Sequence, residues 1–166
     1  MGRILGIDQS FTSSGLVVLE DNGDIIHAER YESNADDDIY KRAWDISEHI
    51  LKIANQFQPE QIMIEGLSFT SIGNNTRNLS GLQFIIMTNL RFNGGFKIET
   101  ISPTSVKKLA CAKGKATKTE IINSLPLDIL TYFKTLGYKK TQGLPDLADA
   151  YFIAKSYLIK TQNPKK

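Results

Sequence analysis

Asn22-Gly23 sits between two β-rich runs, Gly15 to Glu20 (GLVVLE) and Asp24 to Arg30 (DIIHAER). Asn-Gly is a strong hairpin signal, so the two runs are expected to pair antiparallel. Arg3 to Asp8 (RILGID) precedes them as a buried strand that ends in a carboxylate. The N-terminal 30 residues therefore read as a three-strand antiparallel meander.

Beyond the meander the pattern changes to alternating helix and strand. The acidic triplet Asp36-Asp37-Asp38 suits a helix N-terminus, where carboxylates meet the positive end of the dipole. Trp44, Ile46, Ile50, Leu51, Ile53 and Phe57 then supply an apolar face at helical spacing, and Pro59 closes the helix. Gln61 to Glu65 (QIMIE) is a fourth strand, again ending in a carboxylate. Ser68 to Asn78 reads as a polar loop, Leu79 to Phe92 as a helix facing the sheet or a partner, and Phe96 to Ile101 as a fifth strand. Ser102-Pro103 has the form of a helix N-cap followed by proline, and Thr117 and Glu120 have capping-box spacing. Residues 125–145 are the least legible: a helix and a basic loop around Lys139-Lys140. Pro145 opens a final helix with Ala148, Tyr151, Phe152, Ala154 and Leu158 at its apolar positions. The expectation is one α/β domain over residues 1–160, a five-stranded mixed sheet flanked by helices, with a frayed tail at 161–166.

Composition removes several alternatives. No apolar run approaches the ~18 residues of a membrane span, so no membrane partner is expected. Met1-Gly2 alone is weak evidence for lipidation, and Gly6 where Ser or Thr is wanted argues against it. The single cysteine, Cys111, permits no intrachain disulfide, fits a cytoplasmic setting, and reads as a small apolar helix residue. The net charge of +2 hides an asymmetry. Residues 1–96 hold seven Lys/Arg against thirteen Asp/Glu, whereas residues 97–145 hold nine Lys against three acids. A basic C-terminal half suits either a polyanionic partner or a solvated surface.

Four carboxylates stand where chemistry is usually assembled. Asp8 and Glu65 end strands, and Asp146 and Asp149 lie three apart in the first turn of the last helix, on one face. Strand ends and a helix start converge at one edge of an open α/β sheet, a common place for active sites. Gathered carboxylates repel unless cations neutralise them, and hard oxygen donors suit Mg²⁺ or Mn²⁺. Two such ions roughly 4 Å apart are able to activate water and stabilise both reacting oxygens in phosphodiester hydrolysis. On that reading Asp8 bridges both ions, Glu65 holds one, and Asp146 with Asp149 completes the second site. The ordinary alternatives are turn hydrogen bonds to Asp8 and helix-dipole complementation by Asp146 and Asp149. A carboxylate directly after Ile62-Met63-Ile64 is harder to place as routine surface.

In this order the chain resembles the RuvC family of junction resolvases, including its bacteriophage members. The resemblance runs through Leu5-Gly6-Ile7-Asp8, the Gly15 strand, Gln56 to Pro59 leading to Ile64-Glu65, Ser105-Val106-Lys107, Thr117-Lys118-Thr119 and Asp146 to Ala150. It implies an RNase H-like fold, a homodimer, branched DNA as substrate and paired nicks across a four-way junction. It also implies that Asp8, Glu65, Asp146 and Asp149 are catalytic metal ligands. Lys107 (with Lys108 as competitor) and Lys118 then match basic positions near the scissile phosphate, and Phe69 matches a loop aromatic that stacks on bases. The chain departs from the bacterial pattern in having Gln9-Ser10 where Pro-Gly is usual, and in a longer segment from Leu125 to Leu144. Other readings are an RNase H-like nuclease for flaps, forks or structured RNA, and a catalytically silent junction binder. The phosphate loop of actin-like ATPases is also echoed at Gly6 to Gly15, but those proteins need a second domain and a second loop.

Overall fold

The computed structural model describes residues 2–67 and 73–162. The chain runs β1 (Arg3–Asp8), β2 (Ser13–Glu20), β3 (Ile25–Glu32), α1 (Ile39–Phe57), β4 (Gln61–Glu65), α2 (Asn74–Phe92), β5 (Ile98–Ile101), α3 (Pro103–Cys111), α4 (Lys118–Asn123), α5 (Leu127–Thr135) and α6 (Leu144–Gln162). The strands form one sheet in the order β3-β2-β1-β4-β5. β1, β2 and β3 are the antiparallel meander, and β4 and β5 add parallel to β1 on its other side. The expected fold class, a mixed five-stranded α/β sheet, is the one observed.

Local chemistry accounts for most element ends. In the β2–β3 turn Gly23 alone takes a positive φ, of 92°, and the Asn22 side chain accepts from the Asp24 amide at 2.9 Å. Glu20 and Asp24 close a three-residue loop with a glycine bulge. Asp38, the last of the acidic triplet, caps α1 by accepting from the Tyr40 and Lys41 amides. Ser102 caps α3, and Thr117 with Glu120 forms a full capping box on α4.

Alternation along the strands feeds two cores, one on each face of the sheet. Leu5, Ile7, Leu16, Val18, Ile62 and Ile64 pack against α1 and α2. Ile4, Val17, Leu19 and Met63 pack against α6, with α3 to α5 around it. Each fully buried Leu or Ile contributes ~1.5–3 kcal/mol, so both layers are well anchored.

Several boundaries and one helix face differ from the sequence reading. The helix expected from Leu79 begins at Asn74, so the polar residues Asn74 to Asn78 are its first turns. β5 begins at Ile98 rather than Phe96, because Gly94-Gly95 is followed by a turn in which the Phe96 amide bonds back to Leu90. Trp44, expected on the buried face of α1, is 51% exposed; Ala43, Ile46, Ser47, Ile50, Ile53 and Ala54 occupy that face. α6 continues to Gln162, and residues 163–166 lie outside the described residues. No helix among the described residues is long and apolar enough to cross a membrane.

Candidate active site

Asp8 and Glu65 owe their neighbourhood to register. β1 and β4 run parallel with Ile7 opposite Ile64, so the next residues, Asp8 and Glu65, end their strands side by side at about 4.8 Å strand spacing. Side chains alternate, and Ile7 and Ile64 point into the α1–α2 core. Asp8 and Glu65 therefore point to the other face, toward α6.

Two glycines let α6 reach them. Gly6 and Gly15 lie on the same face of β1 and β2 as Asp8. A Cβ on Gly6 would sit 2.2 Å from the Ala150 carbonyl oxygen, and one on Gly15 would sit 2.3 Å from that of Asp146. Any side chain there would push the helix off the sheet. Their absence brings the first two turns of α6, with Asp146 and Asp149, down onto the ends of β1 and β4. All four carboxylates consequently line one open pocket of about 320 Å³, with Ser10, Pro103, Val106, Lys107, Ala116, Lys118 and Ile121.

The pocket's electrostatics are those of crowded, poorly hydrated anions. Burial, then the charges of Asp149, Glu65 and Asp146, raises Asp8 well above the usual carboxylate range. Glu65 is pushed up to about 7 by burial and Asp149, against the opposing pull of Lys107 and Lys118. Asp149 is raised to about 6, chiefly by burial. Lys107 and Lys118 are thus close enough to act on the carboxylates but do not neutralise them.

Several supporting residues carried no recognisable sequence signal. Asp146 Oδ2 accepts from Ser13 Oγ and from Arg30 Nε, both at 2.9 Å, and Arg30 also pairs with Glu32. The Glu65 carbonyl accepts from the Gln9 and Gln83 side-chain amides at 3.2 and 2.7 Å. These contacts join positions far apart in the chain, so only the folded topology reveals them. Gly15 was legible as a strand residue but not as the floor beneath α6. Lys108 is exposed and is not among the pocket-lining residues; its side chain lies near the Gly114 turn. Phe69 lies outside the described residues.

The donor set fits hard divalent cations. It holds carboxylate oxygens and no sulfur or imidazole, and its mutual repulsion is of the kind that a cation relieves. Among the described residues no three Asp, Glu, His or Cys side chains converge tightly enough to ligate one ion as they stand.

A sheet of order β3-β2-β1-β4-β5 with acidic residues on β1, β4 and the last helix can be matched to known proteins. No family model matches the chain. It is 26% identical over 129 residues to the crossover junction endodeoxyribonuclease RuvC of Ruegeria pomeroyi, spanning 76% of this chain and 78% of that protein. Thermus thermophilus RuvC, in a complex with Holliday junction substrate, superposes with a TM-score of 0.75 at 20% identity over 99% of this chain and 97% of that one. The chain is RuvC-like in sequence and in fold. The yeast mitochondrial Holliday junction resolvase Ydc2 also superposes, with a TM-score of 0.70 and 17% identity over 95% of this chain and 78% of that one. The RuvC-like fold accounts for the five-stranded sheet and its flanking helices.

Proposed function

We propose that this chain is a structure-selective endonuclease that resolves four-way DNA junctions by paired, divalent-metal-dependent phosphodiester hydrolysis. The observation that carries the reading is the pocket in which Asp8, Glu65, Asp146 and Asp149, from three separate elements, meet beside Lys107 and Lys118. The RuvC-like fold, and relatives whose names specify crossover junctions, point to the substrate.

Asp8, on the central strand, lies between Glu65 on one side and the α6 pair on the other, and these four carboxylates would hold the Mg²⁺ or Mn²⁺ ions. Such ions, when bound, supply water activation and charge neutralisation at the scissile phosphate. Ser13 and Arg30 hold Asp146 in one orientation, and Gln9 and Gln83 fix the backbone that carries Glu65. Lys107 and Lys118 flank the carboxylates and meet the phosphate's negative charge as it enters. Phe69 is assigned to stacking against junction bases, where an aromatic contributes ~1–3 kcal/mol per base.

Two symmetric cuts require two active sites, which a two-fold homodimer provides. Exposed aromatics on the helical layer opposite α6 support that assembly: Trp44 on α1, and Phe84 and Phe92 on α2, the latter two 74% and 79% exposed.

The decisive experiment is cleavage of an end-labelled synthetic four-way junction with Mg²⁺, Mn²⁺ or EDTA, for wild type and Asp8→Asn. Paired, symmetric nicks that need both metal and Asp8 support the reading. A junction bound but left whole in every metal would favour a silent binder, and cleavage confined to flaps or structured RNA would move the substrate class.

A further inference from the structure

The segment between α5 and α6 is a compact hairpin packed against Arg30 of β3, whose side chain reaches the carboxylate pocket. Lys139 and Gln142 exchange backbone hydrogen bonds of 2.9 Å in both directions, and the Leu144 amide bonds back to the Lys139 carbonyl at 3.2 Å. Lys140 and Thr141 form its tip. Gly143 has φ of 90° and lies so close to the Tyr138 ring that a Cβ would meet it at 2.4 Å. The Tyr138 hydroxyl accepts from the Arg30 amide at 3.1 Å, and the Arg30 side chain grips Asp146. The hairpin is therefore tied both to β3 and, through Arg30, to the pocket.

Its position follows from strand register. Asp8 pairs with Gly15, and Gly15 pairs with Arg30, so the three lie in a row across the sheet edge. At about 4.8 Å per strand the Arg30 backbone is roughly 10 Å from Asp8, and the hairpin lies beyond it. Lys107 and Lys118, which act on Glu65 and Asp149, belong to α3 and α4, which follow β5 at the opposite end of the sheet order. Lys139 and Lys140 are exposed, and neither pairs with a carboxylate among the described residues. The two carboxylates beside their anchor, Asp146 and Glu32, are both taken by Arg30.

We propose that this hairpin is a second phosphate-binding element, in which Lys139 and Lys140 hold the DNA backbone on the flank of the carboxylate pocket opposite Lys107 and Lys118. The inference rests on the reading of the substrate as branched DNA and deepens it. Paired basic flanks fix the strand from both sides of the cut, and backbone contacts of this kind set register without reading sequence. The rigid anchor matters, because a lysine on a frayed loop gives up more side-chain and backbone freedom on binding.

The test is equilibrium binding of a four-way junction in EDTA across a salt series, for wild type, Lys139→Ala/Lys140→Ala and Lys139→Arg/Lys140→Arg, with wild-type cleavage measured alongside. The alanine variant is expected to bind more weakly, with the slope of log K against log[salt] reduced by about 0.9 for each phosphate no longer neutralised. The arginine variant is expected to keep the wild-type slope. Adding Lys118→Ala to the alanine variant lowers the slope further, since the flanks hold different phosphates. A wild-type slope and affinity in the alanine variant would overturn the proposal, as would a weakening that arginine fails to restore. If the wild type cleaves flaps or structured RNA instead of junctions, the junction reading fails, and the hairpin is judged by the same slopes on that substrate. A wild type that binds no nucleic acid overturns both.

Discussion

The carboxylates of the pocket carry a cost that is measurable residue by residue. Glu65 is raised from 4.5 to about 7 and Asp149 from 3.8 to about 6. Between those limits the folded protein keeps a proton that the unfolded chain has released. Rising pH therefore removes stability, across about 4.5 to 7 for Glu65 and about 4 to 6 for Asp149. Glu65→Gln removes the ionisation. It is expected to melt higher than wild type in EDTA at pH 8, by on the order of 2 kcal/mol, with the difference vanishing near pH 4. Mg²⁺ should reverse the ranking by stabilising wild type, more strongly at pH 8 than at pH 6, because ligands must be deprotonated to bind. Calorimetry across pH with and without metal checks both signs. Asp8→Asn is expected to lower cleavage by roughly 10³-fold or more while preserving or tightening junction binding. Gel-shift and cleavage assays on the same preparation separate those outcomes, and undiminished cleavage would end the metal-site reading.

At the scale of elements, the contact between α6 and the sheet decides whether the site exists. Gly6→Ala places a methyl group on the Ala150 carbonyl and Gly15→Ala places one on that of Asp146; in both cases the obstacle is backbone and does not rotate away. Each is expected to cost about 1–3 kcal/mol or more and to lower cleavage beyond the fraction unfolded, since displacing α6 moves Asp146 and Asp149 together. Thermal melts paired with single-turnover cleavage distinguish this from plain destabilisation. Elements whose signals are local were legible: the Asn22-Gly23 hairpin, the Asp38, Ser102 and Thr117 caps, and strands that end in carboxylates. The first turns of α2 were not, because Asn74, Asn75 and Thr76 are poor helix formers and the cap, Gly73, has no side chain to accept the first-turn amides. Trp44 was misplaced because apolar spacing alone also admits a neighbouring stripe, and the true buried face uses the smaller Ala43, Ser47 and Ala54. Residues 125–145 were the least legible, and their helix is fixed by burying Ile129 and Phe133 against α6.

For the whole molecule, the two faces of the sheet divide the labour. The α6 face holds the carboxylates and the basic elements, whereas the α1–α2 face leaves Tyr40, Trp44, Phe84 and Phe92 in solvent. If the second face is the dimer surface, Phe84→Asp should give a monomer by analytical ultracentrifugation. Because Phe84 lies on the opposite helical layer from the pocket, that monomer should still nick a junction, but at one strand at a time. Loss of paired nicking without loss of single nicks is the expected outcome, and an unchanged dimer would place the interface elsewhere.

By itself the sequence determined most of the elements, the mixed sheet and the four acidic positions, because each depends on patterns a few residues long: alternation, turn chemistry, caps and carboxylates at element ends. It also carried the charge asymmetry. The tertiary structure alone decided what those residues meet. Register sets Asp8 beside Glu65, and the absence of side chains at Gly6 and Gly15 lets α6 bring Asp146 and Asp149 to them. Arg30 reaches Asp146 across 116 positions of chain, and Tyr138 reaches Arg30 across 108. Contacts of that span arise from packing two layers onto one sheet, and no local pattern in the sequence encodes them.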